Sequence, residues 1–280
     1  GVGAAGVAEK PGGLGGRIVE LTVNGRRVYG STGGRDFDPT QDPVIFLHGS
    51  GMDRTVWQLQ TRYFAWHGRS VLAVDLPGHG KSEGPALDSI EVQAEWVIAL
   101  MDAAGVAQAA LVGHSMGAAL ALETAAAYPD RVSAIALCGV AEAMPVHPEL
   151  LEAGLEGAHH AFDLITSWGF DRKAHIGGHK APGTWMTGGA MRLLERGRDA
   201  VVGTDLAASN AYKGAPTAAA KVRCPALFVL GDRDRMTPPR NARPLIEAID
   251  GAAVEIIAGC GHMMMIERPD ETLDALRKLL

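Results

Sequence analysis

Short, wholly apolar runs alternate with longer stretches of helical spacing along most of this chain. The runs at 44–47, 71–74, 109–112 and 132–137 read as buried strands, and 55–65, 90–104 and 118–128 between them read as helices. The same rhythm returns with a strand at 226–230, a helix at 241–249, a strand at 253–257 and a closing helix at 271–280. Fully apolar strands joined by helices predict an α/β fold with a mostly parallel, doubly wound sheet covered on both faces. Ahead of it, Ile18, Val19, Leu21 and Val23, then Asn24-Gly25, then Val28 and Tyr29 predict an N-terminal antiparallel hairpin closed by its favoured two-residue turn.

The rhythm breaks twice. Residues 1–16 are rich in glycine and alanine with almost no large apolar side chain, which predicts a flexible leader. Residues 143–213 carry two helical patterns, at 149–165 and 189–196, around a Gly-rich middle with Trp168, Phe170, Trp185 and Met186. A linker would not hold so many aromatic and methionine side chains. The stretch is expected to be an inserted helical cap, with 17–142 and 214–280 forming the core.

A length of 280 residues fits one large α/β domain with an insertion. The formal net charge is -6, from 26 basic and 32 acidic residues spread without blocks, so there is no electrostatic footprint for nucleic acid or an anionic membrane. A small neutral or apolar molecule is the expected partner, bound by a monomer or homodimer. Cys138, Cys224 and Cys260 are few, odd in number and far apart, as buried thiols in a reducing compartment would be. No run approaches the roughly 20 apolar residues of a membrane span, and the first residues lack the basic start and apolar core of a secretory signal. A cytoplasmic location is expected.

Candidate chemistry sits at the carboxyl ends of the expected strands, where open α/β sheets bind ligands. Gly113-His114-Ser115-Met116-Gly117 has the form G-x-S-x-G. A serine on so sharp a strand-to-helix turn is strained, and side chains two residues to either side would collide across it. His48-Gly49-Ser50-Gly51 follows the 44–47 strand, and the backbone N–H groups of Ser50 and Met116 are candidate donors to an oxyanion. Asp232 and Asp234 follow the 226–230 strand; Asp234 is favoured as partner of a histidine, because Asp232 at the strand end is placed to cap local amides. His262, flanked by Gly261 and Met263 after the last strand, is the candidate base.

On these stretches the chain resembles the α/β-hydrolase superfamily, particularly its cap-bearing esterases and C–C-bond hydrolases. The resemblance rests on Val44-Ile45-Phe46-Leu47-His48-Gly49, on Asp75-Leu76-Pro77-Gly78-His79-Gly80-Lys81-Ser82, on the Ser115 pentapeptide, on Gly231 to Asp234, and on Gly261-His262 with Glu267 and Pro269. The chain order serine, aspartate, histidine is the order of that family's triad. In its acid turn the aspartate three residues after the glycine serves as the acid, which is Asp234 here. The resemblance implies a serine hydrolase that cleaves an ester or related acyl bond through an acyl-serine, with Ser115, Asp234 and His262 as triad and no cofactor. It also leaves open a C–C-bond hydrolase, a cofactor-free lyase or oxygenase, and a slow-turnover ligand-binding member. Relatives that cleave carbon–halogen bonds or open epoxides carry an aspartate where Ser115 stands, and both chemistries are disfavoured.

His48, Gly51, His114, Trp168, Trp185, Met186 and Met263 are candidates to line a pocket, with His114 expected beneath the serine. For Trp168 and Trp185 a purely structural role is equally open. His175 and His179 have a helical metal spacing, but Gly177 and Gly178 between them weaken any helix, and no metal site is expected. His159 and His160 are expected on a helix surface, His79 in a turn, and Cys260 buried and inert.

Overall fold

Pairing of the apolar runs decides the architecture of the computed structural model, which describes residues 8–10, 18–198 and 201–280. Nine strands form one sheet among them: β1 (Ala8–Lys10), β2 (Ile18–Val23), β3 (Arg26–Ser31), β4 (Pro43–Leu47), β5 (Ser70–Val74), β6 (Ala109–His114), β7 (Val132–Cys138), β8 (Ala226–Gly231) and β9 (Ala253–Ile257). Their spatial order is β1-β2-β3-β5-β4-β6-β7-β8-β9. Strands β1 to β3 and the β3–β5 contact are antiparallel, and β5 through β9 pair in parallel. Asn24 and Gly25 close the β2–β3 hairpin with φ of 50° and 75°, the turn geometry that follows the strand twist. Within the stretch expected to be a flexible leader, Ala8–Lys10 pairs with β2, Ala8 opposite Glu20; the rest of residues 1–16 lies outside the described residues.

The helices that follow strands are α1 (Gln58–Trp66), α2 (Ile90–Ala103) and α3 (Met116–Ala127). Between β7 and β8 come α4 (Pro148–Leu155), α5 (His160–Gly169), α6 (Met186–Glu195), α7 (Val201–Ala211) and the short α8 (Ala215–Ala219); α9 (Arg243–Ala248), α10 (Met264–Glu267) and α11 (Pro269–Leu276) follow β8 and β9. Successive side chains of β4 enter opposite faces, as the strand period requires: Ile45 and Leu47 join one buried cluster, Val44 and Phe46 the other. A third cluster, with Leu150, Ile165, Leu194 and Leu206, packs α4 to α7 against one another.

Helix α7 was not foreseen from the sequence pattern. Its buried positions include Gly203, Asp205 and Ser209 beside Val201, Val202 and Leu206, so polar and small residues interrupt the apolar stripe by which a helix is recognised. Among the described residues no helix is long and apolar enough to cross a membrane.

Phe228, fully buried at the centre of β8, offers a test of this packing. Phe228→Ala should cost about 3–5 kcal/mol, read as a lower urea midpoint at constant slope. A loss below about 1 kcal/mol would contradict close packing at this point.

Candidate active site

The turn after β6 is built around two glycines that have no room for a side chain. A Cβ on Gly113 would lie 2.0 Å from the Gly117 carbonyl oxygen, and one on Gly117 would lie 2.3 Å from that of Leu47. Between them Ser115 has φ 53° and ψ −114°, a region that residues with side chains rarely occupy. The surroundings hold it there. Its N–H donates to the Cys138 carbonyl at 2.9 Å, and its own carbonyl accepts from the amides of Ala118 and Ala119. Ser115 lines a cavity of about 350 Å³ that His262 also lines.

His262 reaches this cavity from the loop after β9. Its Nδ1 is 2.7 Å from Asp234 Oδ2, and both side chains are buried. The carboxylate also accepts from the amides of Met236 and Thr237 and from the Thr237 hydroxyl, each at 2.8 Å. Burial alone would raise the Asp234 carboxyl, but the adjoining His262 and the Thr237 bonds outweigh it and hold the group below the usual carboxylate range. Facing a carboxylate, Nδ1 carries the ring hydrogen, which leaves Nε2 as the basic nitrogen. Asp232 instead accepts from the Cys260 amide at 3.2 Å, a bond to the loop after β9, 28 residues on, where a cap of local amides was expected. Thr237, which no motif marked, packs its hydroxyl 3.1 Å from His262 Nδ1.

Glu267 fixes the loop on which His262 sits. Its carboxylate accepts from the Gly261 amide at 3.0 Å and the Asp171 amide at 2.8 Å. Burial pushes this carboxyl up to about 7, against the opposing pull of those amides.

Of the expected pocket residues, His114, Trp168 and Met263 line the cavity together with Ser50. His114 packs under the serine turn, its Nε2 donating to the His262 carbonyl at 2.8 Å. Burial pushes it down to about 3, so it stays neutral as a brace. The other four are corrections. His48 is turned into the core by two bonds, Nδ1 donating to the Gly49 carbonyl at 2.9 Å and Nε2 accepting from the Leu76 amide at 3.1 Å. Gly51 faces α7, its amide bonded to Asp205 at 2.7 Å. Trp185 is 70% exposed, and Met186 is buried in the cluster that contains Phe46. Trp185 precedes and Met186 opens α6, whose Met186 and Ala190 pack into that cluster while Leu194 packs with α4, α5 and α7.

His79, expected in a turn, is buried and bonded to Asp205. Met144, Pro145, Leu150, Ile165, Leu206 and Ser209 line the cavity without any motif to announce them, since lining depends on how α4, α5 and α7 pack. His147 and Arg235 stand in the same wall and are exposed.

Met116, the other expected oxyanion donor, opens α3, where the helix presents unpaired N–H groups and the positive end of its dipole. In the loop after β4, the Gly51 amide is taken by Asp205 and that of Met52 by the Gly49 carbonyl, while Ser50 lines the cavity. Both nitrogens of His179 are engaged, Nε2 with the Ile266 carbonyl and Nδ1 with the Ala181 amide. His159 and His160 are exposed, paired with Glu195 and Glu149. Burial pushes the Cys138 thiol up to about 12 and raises that of Cys260, which leaves both as thiols.

A family model described as alpha/beta hydrolase fold matches residues 42–269. A 2-hydroxy-6-oxo-6-phenylhexa-2,4-dienoate hydrolase of Comamonas testosteroni is 28% identical over 257 residues, covering 85% of this chain and 88% of its own. The enol-lactonase from Burkholderia xenovorans LB400 superposes with a TM-score of 0.82 at 24% identity, covering 92% of this chain and 98% of its own. A thermophilic esterase superposes at 0.76 with 26% identity, covering 94% and 96%.

The raised Glu267 carboxyl has a consequence for stability. Unfolded, the group titrates near ~4.3; folded, it does so at about 7. Between those values the native state holds the extra proton, so this contribution to stability is present at low pH and is lost as pH rises through the folded value. The denaturant midpoint of the wild type should therefore fall, relative to Glu267→Gln, as pH is raised across this window. Parallel pH profiles for the two proteins would refute it.

Proposed function

Because the chain belongs to the alpha/beta hydrolase fold family, we propose that it is a serine hydrolase acting on a carboxylic ester, or a related acyl bond, of a small and mainly apolar substrate. The observation that carries this reading is the strained Ser115 sharing one cavity with a histidine whose Nδ1 is bound to a buried carboxylate. Ser115 Oγ attacks the carbonyl carbon while His262 Nε2 takes its proton. Asp234 keeps the ring oriented and balances the imidazolium. The amides of Ser50 and Met116 receive the oxyanion, the alcohol leaves with the proton from His262, and water repeats the sequence on the acyl-serine.

Substrate size and character follow from the walls. A cavity of about 350 Å³ lined by Met52, Met144, Leu150, Ile165 and Leu206 is at the small end for ligand sites. Residues 143–213 act in this reading as the cap that closes over the substrate. A second reading, cleavage of a carbon–carbon bond in a vinylogous diketone, is favoured by the likeness to the Comamonas hydrolase. It uses the same serine and histidine and predicts product without a long-lived acyl-Ser115.

Ser115→Ala should lower turnover of a p-nitrophenyl alkanoate by about 10³-fold or more, and mass spectrometry should find a fluorophosphonate probe on Ser115 of the wild type. Undiminished turnover by the variant would overturn the proposal.

A further inference from the structure

The loop that carries Ser50 is gripped by a carboxylate on α7. Asp205 is fully buried. Its Oδ2 accepts from the Gly51 amide at 2.7 Å and lies 2.5 Å from His79 Nε2. The other nitrogen of that ring, Nδ1, is 3.0 Å from the Pro77 carbonyl oxygen. A carbonyl can only accept, so Nδ1 carries a hydrogen, and a carboxylate at Nε2 holds a second. One proton is thus shared between the ring nitrogen and the Asp205 carboxyl group. Burial works against the charged ring, but Asp205 outweighs it and raises the histidine above its ordinary value.

Neither residue lines the cavity shared by Ser115 and His262, and a buried ion pair is a poor source of stability in itself. Its geometry points elsewhere. The Ser50 carbonyl and the Gly51 N–H belong to one rigid peptide plane, so holding that N–H anchors the plane that adjoins Ser50 on its carboxyl side and restrains the torsions of Ser50. The Ser50 amide is separated from that anchored plane only by the two torsions of Ser50, a residue that lines the cavity. Packing reinforces the grip: a Cβ on Gly51 would lie 2.4 Å from Val202 Cγ2, and Asp53 Oδ2 is 2.9 Å from Arg196 at the end of α6. Leu206, the next residue along α7, lines the cavity, so one helix sets both a substrate wall and the loop.

We propose that Asp205, held by His79, is a positioning residue that aims the Ser50 amide at the developing oxyanion. The proposal rests on the hydrolase reading above. Loss of an oxyanion donor outright costs about 10²–10³ in kcat, and misaiming one should cost less.

The test uses Asp205→Asn and His79→Gln in the full chain, with kcat and KM measured separately on p-nitrophenyl butyrate. A trifluoromethyl ketone, which adds to the serine as a tetrahedral oxyanion, is titrated as inhibitor, and thermal melting records folding. For Asp205→Asn, kcat and ketone affinity should each fall by roughly 10- to 100-fold while KM stays within about threefold. His79→Gln keeps a donor but not a charge beside Asp205 and should show the same pattern more weakly. Should Asp205→Asn not fold, His79→Gln decides on the same two constants. A folded variant with unchanged kcat and ketone affinity, or failure of both variants to fold, would assign the pair to stability alone and overturn the proposal. Failure of the hydrolase reading is distinct: it would show in the wild type and in Ser115→Ala, with the Asp205–His79 pair intact, and would remove this proposal with it.

Discussion

The close approach of three backbone segments at the end of β6 is the constraint on which the site depends. Gly117 packs its bare Cα against the Leu47 and His48 carbonyls, and Gly113 packs against Gly117. On the facing loop a Cβ at Gly49 would lie 2.9 Å from His114 Nδ1 and 3.3 Å from Ser115 Cβ. The serine turn and the loop after β4 are therefore interlocked through side chains that are missing. Strain at Ser115 persists because β4 and β7 flank β6 in register and leave the turn no other course.

Beneath that contact lies a set of buried histidines whose charge is decided by their partners. His48 and His114 are wholly buried, meet a backbone carbonyl on one nitrogen and no carboxylate on the other, and stay neutral. His79, its ring centre 4.8 Å from that of His48, meets a carbonyl and the Asp205 carboxyl group, and Asp205 raises it above its ordinary value against the effect of burial. His262 meets Asp234 through Nδ1. One residue type thus serves as a neutral brace, an anchor paired with a carboxyl group and the candidate base, and burial and hydrogen-bond partner distinguish the cases.

The loops of the site are also braced by carboxylates that do not face the cavity. Glu267 ties the His262 loop to the backbone after α5 through the Gly261 and Asp171 amides. Asp205 does the equivalent for the loop of Ser50. Each carboxylate accepts backbone N–H groups of irregular segments, which would otherwise be left unsatisfied in a buried setting.

What the sequence determined by itself was local or periodic. The strand rhythm, the Asn24-Gly25 turn and the two glycines around Ser115 follow from short-range sterics and periodicity, and each was legible without coordinates. The rhythm gave the parallel sheet covered on both faces, and the resemblance of the motif stretches at its strand ends gave the alpha/beta hydrolase fold that the family match shows. Only the tertiary structure decided the rest. It turned His48 and Gly51 away from the cavity, put Trp185 outside it, and brought in Ser209, Thr237 and Leu206. It joined Asp205 to Gly51 across 154 residues and to His79 across 126. Such contacts leave no periodic trace in the chain, because they depend on where packed helices come to rest on a sheet. The helix that supplies Asp205 hides its own signal for the same reason, since its buried face holds a carboxylate whose partners lie far away in sequence.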